Sequence, residues 1–288
     1  MIDQLASLIV SALVTGSIYA LVALGFSVLY KSTDAINFAQ GEWVMAGGMV
    51  AAFFVQTAYL PPLLAAVLAL VVVTALGVAS EVLSIEPLRD ATPLNATMVT
   101  IGVAIATKAL VTLAIGKQPM GYPSFIAGPP LHVGAFQLER QALVVVVVAA
   151  VTLWAAQQFF ARTLLGRAMR AAAADPVAST IVGIDPRRTT RAAFAIAAGL
   201  GAIAGIIMTP ITLTSFNAGT LLGFKGFSAA MLGGLGSLSG AVLGGLILAA
   251  LEVFAKGYIS SSYADGVAFV VLLAVLFVRP AGILGRST

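Results

Sequence analysis

The sequence has no cysteine and a single histidine in its 288 residues, and charged residues make up only 9% of it. Without cysteine there can be no disulfide framework, no thiolate metal site and no cysteine nucleophile. An intramembrane enzyme needs a nucleophile with a base, or a metal cluster, and one histidine argues against both. Soluble domains carry about 25% charged residues. The scarcity of charge therefore excludes an ordinary soluble domain.

Apolar residues, by contrast, make up 60% of the chain. They recur in runs long enough to cross a bilayer, where an α-helix satisfies its own backbone hydrogen bonds. We therefore predict an all-α, polytopic membrane protein, a single transmembrane domain over 1–288 with about eight long helices. The predicted spans are 5–29, 63–84, 95–116, 141–161, 192–208, 241–254 and 265–278, with shorter apolar runs at 43–59 and 224–235. No basic region precedes the first run, which favours a membrane span over a cleaved signal peptide.

The longest polar run lies at 162–191 and is rich in arginine. It holds six of the fifteen Lys and Arg residues of the chain: Arg162, Arg167, Arg170, Arg187, Arg188 and Arg191. Because basic residues resist translocation, a short Arg-rich loop between two spans belongs in the cytoplasm. Counting spans outward from this loop predicts that both termini are cytoplasmic and that 117–138 is extracytoplasmic. It also places Lys31 outside, if 43–59 is a bent hairpin that returns to the same face.

The Arg-rich loop also has predicted helical order. An Ala-rich run favours a helix over 165–180, Asp175 and Pro176 interrupt it, and Gly183 terminates a second short helix through Ile181. Two such helices form a docking surface for a cytoplasmic partner. The alternative is a solvated loop that only sets topology. The residues assigned to this surface, for coupling to an ATPase, are Gly166, Arg167, Arg170, Ala172, Asp175, Ala178 and Gly183.

A second polar stretch, INFAQGE at 36–42, lies at the predicted outer boundary of the membrane. Polar groups inside a membrane are functional candidates, so this stretch is a candidate lining for a translocation pathway. An ordinary helix N-cap is the alternative interpretation of Asn37 and Glu42.

Two glycine pairs suggest two weakly similar halves with short broken or re-entrant helices. The pair at 47–48 begins nine residues after Phe38, and the pair at 233–234 begins nine residues after Phe224. Broken helices at matching positions of two repeats mark transport pathways. The residues predicted for the pathway are Asn37, Phe38, Gln40, Gly41, Glu42, Gly47, Gly48, Gly233 and Gly234.

Few ionisable residues fall inside the predicted spans. Lys108 is the one base well inside a span, and Glu81 and Glu252 lie near span ends. Snorkelling to the interface explains all three, and a buried pair of Lys108 with Glu252 is the alternative. A secondary transporter working alone would bury more such groups at mid-membrane. The glycines form no dinucleotide-binding or phosphate-binding loop, so no ATP site is visible in the chain.

Taken together, five stretches resemble the LivH-type permeases of branched-chain amino acid ABC importers. They are GSIYALVALGFSVLYKSTDAINFAQGE (16–42), PLRDATPLNATMVTIG (87–102), GRAMRAAAADPVASTIVGID (166–185), FAIAAGLGAIAG (194–205) and MLGGLGSLSGAVLGGLILAALE (231–252). The resemblance covers nearly the whole chain. It implies a multi-pass permease subunit of the bacterial inner membrane that forms half of a translocation pore and is not itself an enzyme.

The resemblance also implies partners and substrates. The expected partners are a homologous LivM-like permease subunit, two cytoplasmic LivG- and LivF-like ATPase subunits and an extracytoplasmic binding protein, with no nucleic acid. The ATPases are expected to hold ATP and magnesium, to contact 166–185, and to leave this chain without a cofactor or metal of its own. The implied substrates are branched-chain or related small amino acids. Urea, short amides or other small organic solutes are the alternative substrates.

Overall fold

The computed structural model describes residues 2–88, 92–133, 136–258, 260 and 263–285. Nearly all of its ordered elements are helices: α1 Ile2–Thr33, α2 Gln40–Gln56, α3 Pro62–Ser80, α4 Pro93–Ala114, α5 Arg140–Arg162, α6 Leu164–Ala174, α7 Pro176–Ile181, α8 Pro186–Thr212, α9 Ala218–Gly233, α10 Leu238–Tyr258 and α11 Ala264–Val278. A π-helical turn, Glu81–Ile85, continues α3. Two short antiparallel strands, β1 Leu131–Val133 and β2 Phe136–Leu138, form a hairpin between α4 and α5.

The predicted all-α polytopic architecture is confirmed. Six helices within the described ranges are long and apolar enough to cross a membrane, namely α1, α3 with its π-helical turn, α4, α5, α8 and α10. Helices α2, α9 and α11 are shorter, with 17, 16 and 15 residues. The long helices α3, α4 and α5 expose apolar side chains over much of their surface, as helices that face lipid do.

The centre of the molecule is formed by α1, α2 and α8. Helix α2 is buried along most of its length, and Trp43 is fully enclosed with its indole edge-on to the ring of Phe194. A Cβ atom at Gly205 of α8 would overlap the carbonyl oxygen of Val44 on α2. Lipid supplies no hydrophobic force between helices, so such small residues promote association by letting backbones approach closely.

The two glycine pairs turn out to have different roles. Helix α2 passes through Gly47 and Gly48 without interruption, and both glycines pack against α8. The predicted break at this pair is wrong, because the glycines are there for close helix contact. Helix α9 does end at Gly233, and Gly234 has a positive φ of 102°. The interruption predicted at the second pair is therefore present, although Gly233 packs against the backbone of Gly240 and not against a cavity.

The orientation of α1 differs from the prediction. The end of α1, at Tyr30 and Lys31, lines a cavity together with Arg170 of α6, so α1 ends on the face of the Arg-rich loop. At the opposite face, Gly257 near the end of α10 packs against Leu8 of α1. The prediction that α1 starts in the cytoplasm and that Lys31 lies outside is wrong, because α2 is one straight crossing and not a hairpin. The terminal residues 1 and 286–288 lie outside the described residues.

The remaining sidedness agrees with the prediction. The loop at 117–138 lies at the face opposite the Arg-rich loop, where Met120 pairs with Thr214 just after α8. The segment after α11 returns to the cytoplasmic face, where Leu284 donates its N–H to the carbonyl of Gly233. Placing Lys31 in the cytoplasm also strengthens the bias of basic residues toward that face.

Candidate functional site: a charged cavity at the start of α2

The polar stretch 36–42 lies along the first third of α4, which begins at the cytoplasmic face. The N–H of Ile36 donates to the hydroxyl of Thr97 at 3.2 Å, and the N–H of Phe38 donates to the hydroxyl of Thr100 at 3.1 Å. The Thr100 hydroxyl also lies 3.1 Å from the Ile36 carbonyl. These hydroxyls pair backbone groups that would otherwise be unsatisfied. The stretch therefore lies in the cytoplasmic half, and its predicted place at the outer boundary is wrong.

Three of the predicted pathway residues here serve local structure. The Asn37 side-chain oxygen accepts from the N–H of Ala39 at 3.1 Å and shapes the turn before α2, as the N-cap alternative expects. The Gln40 side-chain amide is fully buried and donates to a carbonyl of α8 at 2.9 Å. Gly41 lies against the backbone of α9. Asn37 therefore has a local role in the turn, whereas Gln40 and Gly41 join α2 to α8 and α9.

Phe38 and Glu42, in contrast, line a cavity of about 470 Å³ between α1, α2, α4 and α9. This volume is in the range of small-molecule sites, which have apolar walls and a few polar groups. The apolar wall includes Phe26, Phe38, Ile101, Ile105 and Phe224. The polar groups are Glu42 of α2, Lys108 of α4 and Thr220 of α9.

Glu42 is only 4% exposed and is incompletely hydrogen-bonded. One carboxylate oxygen accepts from the hydroxyl of Thr220 at 3.0 Å. The other, Oε2, is buried and has no hydrogen-bond partner among the described residues. An N-cap role would direct this carboxylate to backbone N–H groups of α2, so the N-cap alternative does not account for Glu42.

Lys108 supplies the opposite charge. Its ammonium group lies 5.4 Å from the centre of the Phe216 ring. It interacts electrostatically with Glu42, yet within the described part of the chain no carboxylate forms an ion pair with it. A carboxylate and an ammonium group therefore face one apolar cavity without closing on each other.

Glu252 belongs to a separate, compensated cluster. Its carboxylate accepts from Lys225 at 2.8 Å and from Tyr19 at 2.7 Å, and Lys256 also pairs with it. The alternative pair of Lys108 with Glu252 is therefore wrong. Sequence reasoning missed this cluster because Tyr19 and Lys225 come from other helices. The available signal was the spacing of four residues between Glu252 and Lys256 on α10.

The Arg-rich loop folds as its sequence predicts. Helix α6 ends at Ala174, Asp175 caps α7 by accepting from the N–H groups of Val177 and Ala178 at 2.9 Å each, and Gly183 follows with a positive φ of 85°. A Cβ atom at Gly166 would overlap the backbone at the end of α5, so Gly166 fixes the angle between α5 and α6.

The cytoplasmic surface of this loop is more apolar than expected. Arg167, Arg170 and Ala178 are exposed, and Ala172 is half-buried. Sequence reasoning missed the exposed apolar side chains of α7 and of the residue after it: Val177, Ile181 and Val182 are 72%, 81% and 74% exposed. The available signal was the spacing of Val177 and Ile181, which puts them on one face of a short helix.

A family model for the branched-chain amino acid transport system permease component matches residues 8–276. The chain belongs to this permease family. The permease is 33% identical to LivH, a high-affinity branched-chain amino acid transport system permease protein, of Salmonella typhimurium strain LT2 and of Escherichia coli strain K12. Each match covers 94% of this chain and 92% of the relative. BraD of Pseudomonas aeruginosa is also 33% identical, over 96% of this permease and 95% of BraD.

A solved structure, PsaBC from Streptococcus pneumoniae in complex with Fab, has a similar fold. The TM-score is 0.52 at 12% identity, and the match covers 94% of this permease and 91% of that chain. At that identity the likeness concerns the fold alone. Together with its six long apolar helices, the family membership makes this permease a multi-pass protein of the inner membrane.

An ion-pair network joins the cytoplasmic ends of two helices in this permease. Arg191 of α8 contacts Glu81 at 3.2 Å and Glu86 at 2.7 Å, and Arg187 contacts Glu86 at 3.4 Å. Glu81 is almost fully buried in the π-helical turn that ends α3. The network attaches the first turns of α8, directly after the Arg-rich loop, to α3.

Proposed function

We propose that this permease is a subunit of an ATP-driven importer, in which it forms half of the pore for branched-chain or related small amino acids. Its relatives in Salmonella and Pseudomonas carry the name of that transport system. The proposed partners are a LivM-like permease subunit, two LivG- and LivF-like ATPases that hold ATP and magnesium, and an extracytoplasmic binding protein.

The observation that supports binding of the ATPase subunits is the exposed apolar surface of α7. Val177, Ile181 and Val182 project from a basic loop on the cytoplasmic face and are largely exposed. Contiguous exposed apolar side chains with a charged rim are typical of protein interfaces. In such interfaces buried apolar anchors provide most of the binding energy, and rim charges such as Arg167 and Arg170 mainly tune association.

The open side of the charged cavity supports a second permease subunit. Ile105 and Phe224, on its apolar wall, are 66% and 51% exposed. A transport pathway that holds Glu42 and Lys108 cannot lie open to lipid, because charges are costly there. A homologous permease chain packed against α4 and α9 would close the cavity and make it a pore.

Reconstitution tests this function. The permease is co-expressed with its candidate permease and ATPase partners, purified as a complex and placed in liposomes with ATP on the cytoplasmic side. We expect labelled leucine to accumulate only with ATP and the binding protein present. Uptake driven by a proton or sodium gradient, in liposomes that contain this chain alone, would contradict the proposal and support a secondary transporter.

A further inference from the structure

The charged cavity has the layout of a receptor for a small dipolar molecule. We propose that it recognises a zwitterionic amino acid, with Glu42 binding the α-ammonium group and Lys108 binding the α-carboxylate. This inference rests on the proposed transport function and assigns the residues that bind the two charged groups of its substrate.

The first support for this site is Oε2 of Glu42, which has no hydrogen-bond partner among the described residues. A buried carboxylate without its full set of hydrogen bonds is costly and persists where function requires it. Thr220 satisfies Oε1 at 3.0 Å, and Oε2, which lies against Gly219 of the cavity lining, is buried without a hydrogen-bond partner among the described residues. A ligand ammonium group would give this oxygen a charge-assisted hydrogen bond, which is among the strong ones in proteins.

Lys108 provides the complementary half. Its ammonium group lies over the ring of Phe216, which stabilises it through the ring face but leaves its N–H donors without a carboxylate in the described part of the chain. The group comes from α4, on a different wall of the cavity from Glu42. A ligand carboxylate would complete the ion pair that Lys108 does not make with Glu42.

The apolar wall accounts for the ligand's side chain. Phe38, Ile101 and Phe224 surround the space beside the two charges. Among the described residues, Thr220 is the one further polar side chain on the lining. Burying an apolar side chain there releases water from both surfaces, at about 25 cal/mol for each Å² buried. A branched aliphatic side chain fits this wall, and a polar one would lose its hydrogen bonds.

The charge pattern separates the candidate substrates. A primary amine leaves Lys108 unpaired, and a carboxylic acid leaves Glu42 unpaired. Urea and short amides carry no charge for either group. The site discriminates through groups left unpaired, which gives stronger selection than a hydrophobic pocket alone. The cavity therefore favours amino acids over urea or amides as the substrates of this permease.

Photolabelling of the assembled complex tests the proposal directly. The probe is a leucine analogue with a diazirine in its side chain, irradiated with the complex in nanodiscs and located by mass spectrometry. We expect labels on the cavity lining, at Phe26, Phe38 and Glu42 and within 101–108 and 219–224. Excess leucine should suppress them, whereas equal concentrations of 3-methylbutylamine or 4-methylpentanoate should not. Labels elsewhere, or equal competition by the amine or the acid, would overturn the proposal.

Two variants and two matched controls refine the test. Glu42→Gln and Lys108→Met should each lower labelling and leucine uptake about tenfold or more, because each removes one charge-assisted contact. Glu139→Gln and Lys117→Met remove exposed charges near the outer loop and should leave both unchanged. If the cavity variants assemble with their partners and keep wild-type labelling, the site is wrong. If they fail to assemble, the competition pattern of the wild-type complex still decides.

The importer function and the zwitterion-binding site can be contradicted independently of each other. Labelling and competition need neither ATP nor the binding protein, so a zwitterion site can be present in a complex that does not use ATP. Conversely, ATP-driven leucine uptake with labels only outside the cavity lining would support the importer and contradict the proposed binding site.

Discussion

At the residue scale, the two buried carboxylates facing α9 differ in how many of their hydrogen bonds are satisfied. Glu252 is bonded by a tyrosine and two lysines, so its charge is balanced within the protein. Glu42 has one hydroxyl partner and an unpaired oxygen. The first arrangement holds α1, α9 and α10 together. The second leaves binding capacity for a ligand, which is why burial alone does not identify a functional acid.

The Glu252 cluster gives a stability prediction. Glu252→Ala removes the carboxylate that pairs with the buried Lys225 and should lower the stability of the purified permease by about 3–5 kcal/mol. Thermal unfolding in detergent measures this. The double variant Glu252→Met with Lys225→Met is the control, and should recover much of the loss because an apolar pair needs no compensation. A double variant no more stable than Glu252→Ala would show that the ion pair is not the cause.

Glycine contacts give a second prediction at this scale. Gly205→Ala would overlap the carbonyl oxygen of Val44, so α2 and α8 must separate, at a cost of about 1–3 kcal/mol. Gly102→Ala is the matched control: no atom lies within 4 Å of the added methyl group. Because alanine is the better helix former, Gly102→Ala should stabilise by about 0.5–1 kcal/mol. Changes of the same sign in melting temperature would contradict the packing interpretation.

At the scale of elements, the sequence predicted those structures that depend on neighbouring residues. The break at Asp175, the second helix through Ile181 and the stop at Gly183 follow from local capping and φ preferences, and all three are present. The unbroken α2 was not predictable in this way. A glycine pair is compatible with a bend or with close packing, and the deciding neighbour, α8, lies more than a hundred residues further on.

The exposed face of α7 gives a prediction about assembly. Ile181→Glu places a charge in the proposed apolar contact and should abolish co-purification of the ATPases while the permease still inserts into the membrane. Ile181→Val keeps the contact apolar and should behave as wild type. Arg170→Gln should be milder and salt-sensitive, since rim charges act mainly on association. Normal assembly and transport by Ile181→Glu would leave the loop as a topological signal only.

At the scale of the whole molecule, the orientation of α1 decides how many times the chain crosses the membrane. Charge predicted that the Arg-rich loop is cytoplasmic, and the described helices after it have the predicted sidedness. Before the loop, the prediction depended on whether 43–59 crosses the membrane or returns to the same face. The basic residues were too few to decide this, so the predicted orientation of α1 was the reverse of the observed one. The charged cavity was predictable only in part, because Phe38 and Glu42 share a motif whereas Lys108 and Thr220 come from distant segments.

Cysteine labelling tests this orientation cleanly, because the chain has no native cysteine. An impermeant maleimide added to intact spheroplasts should label Gln4→Cys, at the start of α1. It should label Lys31→Cys and the exposed Arg188→Cys only after the membrane is opened. Labelling of Lys31→Cys in sealed cells would restore the opposite orientation of α1.

The hydroxyl bonds of Thr97 and Thr100 have a mechanical consequence. They join the segment just before α2 to α4. We therefore expect the α2 and α4 walls of the cavity to move together. Among the described residues, Gly41 of α2 lies against the backbone of Gly219 and Gly223 of α9, and the hydroxyl of Thr220 donates to Glu42. We therefore expect the cavity to open between α2 and α9. The hydrogen bond from Thr220 to Glu42 joins the two helices through the carboxylate that is proposed to bind the ligand. Ligand binding and the separation of α2 from α9 would therefore involve the same group.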